Sequence, residues 1–534
     1  MTGLFCCCSI FAFAQSGHQL LDDAIRLKVA ESISAGDLNI YLDTLTSEEF
    51  EGRETGQLGQ KKAAAYISNF FKANGLLTPN GQENYFQEIN FLGERWTKIQ
   101  LKTDVKTYRH LWDFYAYPGT NASVEMTEVN EILFLGYGIK DEKYSDYKEI
   151  DSLSGKTILI FDGEPMSSDS VSRMTGTDSL SIWATDWRLK LKVAKEYGAD
   201  QVLIIDRNFK KNLAQARKEI LNTRLRMRKG ENPAENYANN MFITTNLLRD
   251  IVNDSIILQK IINARDQVNA GGKLEPVNFT TSIILNQQKR TRTIASENVL
   301  GIVEGSDPNL KKEMIIVSGH YDHLGKKGDN IYFGANDNGS GTSAVLEITQ
   351  AIAKAKAEGN GPRRTILFML FAGEEKGLLG SKYYVTYPLY DLKDAVANVN
   401  IDMVGRVDDI YQDSVGMEHI YVIGADRLST ELHDINEEMN KNYTKIKLDY
   451  RYNEESDPNR YYYRSDHYNF AEQNIPIIFY FNGTHEDYHR ISDTVDKIDF
   501  NRLENVTKLA FHTVWQLANQ DRRIVVDKIE KEDK

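Results

Sequence analysis

Thr365-Ile366-Leu367-Phe368-Met369-Leu370-Phe371 runs directly into Ala372-Gly373-Glu374-Glu375. The run is continuously apolar after Thr365, and its length suits a strand rather than a helix. A strand apolar on both faces belongs in a sheet covered on both sides. Working outward, Met314-Ile315-Ile316-Val317-Ser318 has the same character and ends in Gly319-His320-Tyr321-Asp322-His323. Val399-Asn400-Ile401 leads into Asp402, and Ile475-Pro476-Ile477-Ile478-Phe479-Tyr480 leads to Gly483-Thr484-His485-Glu486-Asp487-Tyr488-His489. Between them, Gly334-Ala335-Asn336-Asp337-Asn338-Gly339-Ser340-Gly341 opens a helix predicted from Gly341 to Lys356. Strands alternating with helices predict an α/β fold: a mixed, largely parallel sheet with helices on both faces. Ligands of such sheets bind beyond the carboxyl ends of the strands.

At those ends this chain places histidines and carboxylates. Taken singly, each has an ordinary explanation: a strand-end histidine is often a hydrogen-bonded structural residue, and an Asp before a glycine-rich helix start is often a cap. Together they would set unpaired carboxylates where they repel one another, and cations remove that repulsion. Two imidazoles with three carboxylates and no thiolate suit zinc or a similar first-row ion better than magnesium or calcium. Five ligands are too many for one zinc that keeps an open position. They suit two zinc ions sharing a carboxylate, ~3.5–4 Å apart, with a water between them. A further carboxylate is then needed as general base, and the pair Glu374-Glu375 offers one ligand and one base.

Composition narrows the field. The chain has 534 residues, with 77 acidic against 64 basic, for a formal charge of -13. That balance disfavours nucleic acid as the main partner. The three cysteines are Cys6, Cys7 and Cys8, inside the apolar run Leu4 to Ala14. Ala12-Phe13-Ala14 resembles a small-x-small cleavage site, so residues 1–14 read as a signal peptide, although no basic residue precedes the run. The expectation is an exported protein, periplasmic, surface-bound or released. Its mature form would have no cysteine, hence no thiol catalysis, and no stably inserted membrane segment.

Upstream, residues 19–77 read as helical, with an amphipathic helix from Lys61 to Phe71 following the glycine-punctuated loop Glu51-Gly52-Arg53-Glu54-Thr55-Gly56-Gln57-Leu58-Gly59. Residues 84–135 carry short alternating, strand-like segments. Thr157 to Phe161 and Gln201 to Ile205 are compact apolar strands, and Trp187 to Tyr197 is a helix ended by Gly198. Residues 208–236 are basic and read as a solvated helical excursion.

As an ordered set, these motifs resemble the co-catalytic dizinc aminopeptidases, in the long form with an inserted protease-associated domain. The resemblance is carried by Ser318 to Gly325, Gly334 to Gly341, Phe371 to Ser381, Asn400-Ile401-Asp402-Met403, Ser465-Asp466-His467, Asp487-Tyr488-His489 and Ser492-Asp493-Thr494. It implies an N-terminal part of the peptidase domain over 19–124, a β-rich protease-associated-like insert over 125–285, a catalytic core over 286–525 and a charged tail over 526–534. The insert's likeness lies in Tyr147 to Asp151, Ser154 to Ile160 and Gly198 to Ile204.

The resemblance also implies roles. Asp337 would bridge two zinc ions, His320 and Asp402 would hold one, and Glu375 and His489 the other. Glu374 would be the general base, Asp322 would orient His320, and Tyr488 would donate a hydrogen bond to the scissile carbonyl or its oxyanion. Carboxylates beside the metals, Glu374 first among them, would receive the free amine of a peptide substrate. Arg490-Ile491 after the last ligand departs from the family pattern and leaves that subsite open. His323, His467 and His485 have no ligand position in this scheme. The implied activity is aminopeptidase. Carboxypeptidase or dipeptidase action on the same scaffold is the alternative, and a non-enzymatic binding protein a more distant one.

Overall fold

The computed structural model describes residues 23–104, 106–167, 170–228, 235–412 and 418–528. The proposed signal peptide lies outside them. Among the described residues no helix is long and apolar enough to cross a membrane. The chain forms two compact units: one takes residues up to Asn90 and from Ala295 on, the other Phe91–Ile294.

The first unit is built on a mixed sheet. Its strands are β1 (Val277–Val303, contributing residues 299–303), β2 (Met314–His320), β3 (Thr365–Phe371), β4 (Ala395–Ile401), β5 (His419–Ile423), β6 (Lys447–Asp449) and β7 (Ile477–Phe481). They lie in the order β6-β5-β7-β4-β2-β3-β1. β3, β2, β4 and β7 run parallel, while β1 and β5 pair antiparallel to their inner neighbours. Register aligns the ends: His320 sits opposite Phe371, Ser318 opposite Asn400, and Ile401 opposite Tyr480. The residues that follow therefore leave the sheet at one level.

Every residue of β2, β3 and β4 is buried. The alternation of a strand sends Ile315, Val317, Ile366 and Phe368 into one core and Ile316, Leu367 and Met369 into another. The first core is covered by helices α1 (Ala35–Leu45), α2 (Leu58–Ala73), α3 (Gly341–Ala357) and α4 (Phe500–Asn519), through Leu42, Ile67, Ile348 and Trp515. The second is covered by Tyr384, Leu428 and Phe470. α1 is capped by Ser34, whose hydroxyl accepts from the Asp37 N–H, and α4 by Asp499, which accepts from the N–H groups of Asn501 and Arg502.

The second unit begins at Phe91, earlier than the 125 expected, because residues 91–94 of the strand Phe86–Thr103 pair with 224–227. Thr157–Phe161, Gln201–Ile205 and Asn239–Ile243 are parallel and fully buried. Helices Arg188–Glu196, Phe209–Leu221, Thr245–Val252 and Ser255–Asn269 accompany them. Within the basic stretch 208–236, of which 229–234 lie outside the described residues, the helix Phe209–Leu221 is not a solvated excursion. Phe209, Leu213, Ala216 and Ile220 recur on one helix face and enter the unit's core.

Candidate metal centre

The carboxyl ends of β2, β3 and β4 deliver His320, Glu374-Glu375 and Asp402 to one place. The turn before α3 brings Asp337 and the segment after β7 brings His489. Two groups of side chains there could each hold a cation: His320, Asp337 and Asp402, and His323, Asp337 and Glu375. In the first, His320 Nε2 lies 3.5 Å from Asp337 Oδ1 and 3.4 Å from Asp402 Oδ1. In the second, His323 Nδ1 is 2.8 Å from Glu375 Oε1, and beside it His489 Nε2 is 3.1 Å from Asp337 Oδ2 and 3.2 Å from Glu375 Oε2. Asp337 presents one oxygen to each group. His489 holds its place with φ of 59°, a left-handed conformation that a non-glycine residue keeps only where its surroundings enforce it.

A cation fits this donor set. Asp337, Glu374, Glu375 and Asp402 are gathered in a small volume, and the buried oxygens Glu375 Oε1 and Asp402 Oδ1 have no hydrogen-bond partner among the described residues. Orphaned buried acceptors are rare in folded proteins, and an ion is one of the things that satisfies them. The titration of the groups reflects the crowding. Burial pushes the Glu374 carboxyl well up, with Glu375 and Asp402 adding to it against the pull of His320. Burial alone would lower His320, but Asp402 and Glu374 outweigh it and raise it well above its ordinary value. Burial would likewise raise Glu375, yet the imidazoles of His323 and His489 beside it hold it well below.

Supporting residues come from far along the chain. Asp493 accepts from the backbone N–H groups of Asn336 and Asp337 at 3.1 Å, which pins the turn that carries Asp337. Ser465 donates to Asp402 Oδ2 at 2.7 Å and receives a hydrogen bond from Asn400. The Asp322 carboxylate accepts from Thr55 at 2.6 Å and from the Glu374 N–H at 3.2 Å. Its carboxylate is 3.7 Å from His320 Nδ1, and the shorter contact to that nitrogen, 3.1 Å, is made by the Asp322 backbone carbonyl. A carbonyl there accepts the Nδ1 proton and leaves Nε2 free to face the carboxylates. Tyr488 stacks on His489 with centroids 3.9 Å apart and receives a hydrogen bond from Arg464 at 3.4 Å. Its hydroxyl is raised by burial and by the neighbouring carboxylates.

The loop 51–59 locks the site from behind. Gly52 takes φ of 68°, and a Cβ there would meet the Tyr332 carbonyl at 2.3 Å, so only glycine lets the loop lie this close. Arg53, fully buried, donates to the carbonyls of Leu45, Tyr321, Phe333 and Gly334 at 2.7–3.0 Å. Burial pulls its guanidinium down to about 10, against the raising effect of Asp322 and Asp337. Arg53→Ala would leave those carbonyls without donors, at a cost of about 3 kcal/mol or more. The expected result is a lower urea midpoint for the first unit, read by fluorescence, with the second unit's transition unmoved.

The structure thus brings together His320, Asp337, Glu374, Glu375, Asp402, Tyr488 and His489, with Asp322 behind them. It adds His323, which the sequence left without a position: its Nδ1 is 2.8 Å from Glu375 Oε1. His467 instead stacks on Phe479 and bonds the Tyr462 carbonyl, and His485 bonds Asn336. His485 could not be told from a ligand by spacing, since it and His489 share one loop.

Two candidate cation-holding groups sharing one aspartate, at the carboxyl edge of a mixed sheet, define an α/β protein with a candidate metal centre. Residues 298–514 match the model of Peptidase family M28. The aminopeptidase YwaD of Bacillus subtilis (strain 168) is 28% identical over 242 residues, covering 43% of this chain and 46% of the relative. A probable leucine aminopeptidase of Trichophyton verrucosum is 28% identical over 217 residues, covering 40% and 56%. The chain thus spans about half the length of the curated relatives it matches. Among solved structures, an aminopeptidase from Aneurinibacillus sp. strain AM-1 has the same fold, with a TM-score of 0.57 at 20% identity, covering 95% of this chain and 98% of the other.

Proposed function

We propose that the protein is an exported aminopeptidase with two zinc ions, removing N-terminal residues from peptides. The observation that carries this reading is the placement of Asp337 between the two groups, with Glu374 beside them in the same cleft. His320 and Asp402 would hold one zinc, Glu375 and His489 the other, and Asp337 both. Bound zinc would supply a Lewis acid and a water of lowered pKa. The chain's own residues do the rest. Glu374 takes the water's proton and passes it to the leaving amine. Tyr488 donates to the oxygen of the scissile carbonyl as charge develops there. Asp322 keeps His320 in the tautomer that binds metal. Export is supported by the apolar run Leu4 to Ala14. The second unit, read as protease-associated-like, would have no chemistry of its own.

The cleft suggests a preference. Met403, Tyr461, Phe479 and Phe481 line it beside the carboxylates. An apolar wall favours a large apolar N-terminal side chain, since a methylene in such a pocket is worth ~1–3 kcal/mol. Purified protein is expected to hydrolyse leucyl and phenylalanyl substrates at least ~10-fold faster in kcat/KM than glycyl ones. N-blocked peptides should resist, and chelator should abolish turnover until zinc is returned. Release of C-terminal residues from N-blocked peptides would shift the reading to carboxypeptidase, and cleavage confined to dipeptides would shift it to dipeptidase.

A further inference from the structure

His323 is the residue near the metal centre to which the proposed function gives no role. It is fully buried, and neither ring nitrogen has a hydrogen-bond partner among the described residues. Its Nδ1 approaches Glu375 Oε1 to 2.8 Å, but not in line for an N–H to donate, and lies 3.9 Å from Asp337 Oδ2. His489 flanks the same two carboxylates, its ring edge-on to His323 with centroids 5.9 Å apart. A buried imidazole without a hydrogen bond is costly, and His323 Nδ1 stands with oxygens of Asp337 and Glu375 close enough together for one ion to touch all three. The fold also makes room for this ring. Gly334 takes φ of 58°, and a Cβ there would come within 2.4 Å of His323 Cδ2.

We infer that His323 is a ligand of the second metal position, which is then held by His323, Asp337, Glu375 and His489. This rests on the two-metal reading above and goes beyond the ligand set that reading uses. Four protein donors are the complement of a closed tetrahedral zinc, whereas His320, Asp337 and Asp402 number three and leave a position open. The two positions would therefore differ in kind. The second is richer in nitrogen and has its full set of four protein donors, which suits a zinc that is retained. The first is the one with room for an exchangeable ligand. Two imidazoles also tilt the second position toward zinc and away from magnesium or manganese.

The test uses the full chain loaded with zinc and diffraction data collected at the zinc edge, so that each ion is located directly. The expected result is an ion ~2.0–2.1 Å from His323 Nδ1, the ordinary zinc–imidazole distance. Zinc titration against a chelating dye accompanies it. His323→Gln and His323→Asn are each expected to weaken one of the two zinc equivalents by more than ~10-fold and leave the other unchanged. Thermal melting of the metal-free variants establishes that they fold. Two ions bound with His323 Nδ1 outside coordination distance would overturn the inference and leave the two-metal reading standing. Fewer than two ions in the unsubstituted protein would overturn the two-metal reading itself.

Discussion

Replacing Glu374 with glutamine is expected to lower kcat by ~10²–10⁴-fold, the range over which positioned general bases act, with zinc content unchanged. The neighbouring glutamates differ in setting. Glu375 is within 3.2 Å of two histidines and is drawn well below its ordinary pKa by them. Glu374 lines the cleft, its nearest histidine contact is 3.8 Å to His320, and its carboxyl is raised by burial and by Glu375 and Asp402. A carboxylate fastened by imidazoles is a poor proton carrier. One that faces the cleft with an elevated affinity for protons suits the base. Glutamine keeps the size and removes the proton affinity. Metal analysis beside the kinetics separates the two roles, and zinc lost together with activity would assign Glu374 to the ligands.

Asp337→Ala should be more severe. Asp337 is the residue common to both cation-binding groups, facing His320 with one oxygen and His489 with the other. Removing it takes an anionic donor from each group at once. Both zinc equivalents are expected to weaken by more than ~100-fold, beyond the upper end for loss of a partner outside the coordination sphere. Hydrolysis should fall to background at any practical zinc concentration. Equilibrium dialysis against buffered zinc reads the first effect, and turnover at saturating zinc the second. The Asp493 clamp on the 336–337 backbone remains in the variant, so the turn should keep its shape. Retention of one tight zinc would show that a position stands without the shared aspartate.

Much of the fold was readable because buried parallel strands leave a plain signature. The runs 314–318 and 365–371 are apolar on both faces, and the residues after them must emerge at one edge. His320, Glu374, Glu375 and Asp402 could be placed together on that ground alone. Other parts were not readable, for reasons that are physical. His323 looked superfluous because a ligand tally from spacing cannot say which of two nearby imidazoles points inward. The hold of Thr55 on Asp322, of Ser465 on Asp402 and of Asp493 on the Asp337 turn spans long stretches of chain, so local pattern carries no trace of it. Arg53 belongs to a residue type that is seldom fully buried. In the helix Phe209–Leu221, many basic residues concealed a stripe of Phe209, Leu213, Ala216 and Ile220.

Arg53 makes a last point through its place in the chain. Its bond to the Tyr321 carbonyl joins residues 268 positions apart, and His489 comes later still. A ribosome extends the chain at ~5–20 residues per second, so Arg53 waits on the order of 10–50 s for that partner to be synthesised. Until the segment bearing His489 has emerged, no nascent chain holds a complete centre. A peptidase of the kind proposed above would stay inert until that segment has been made, with newly made N-termini beside it out of its reach.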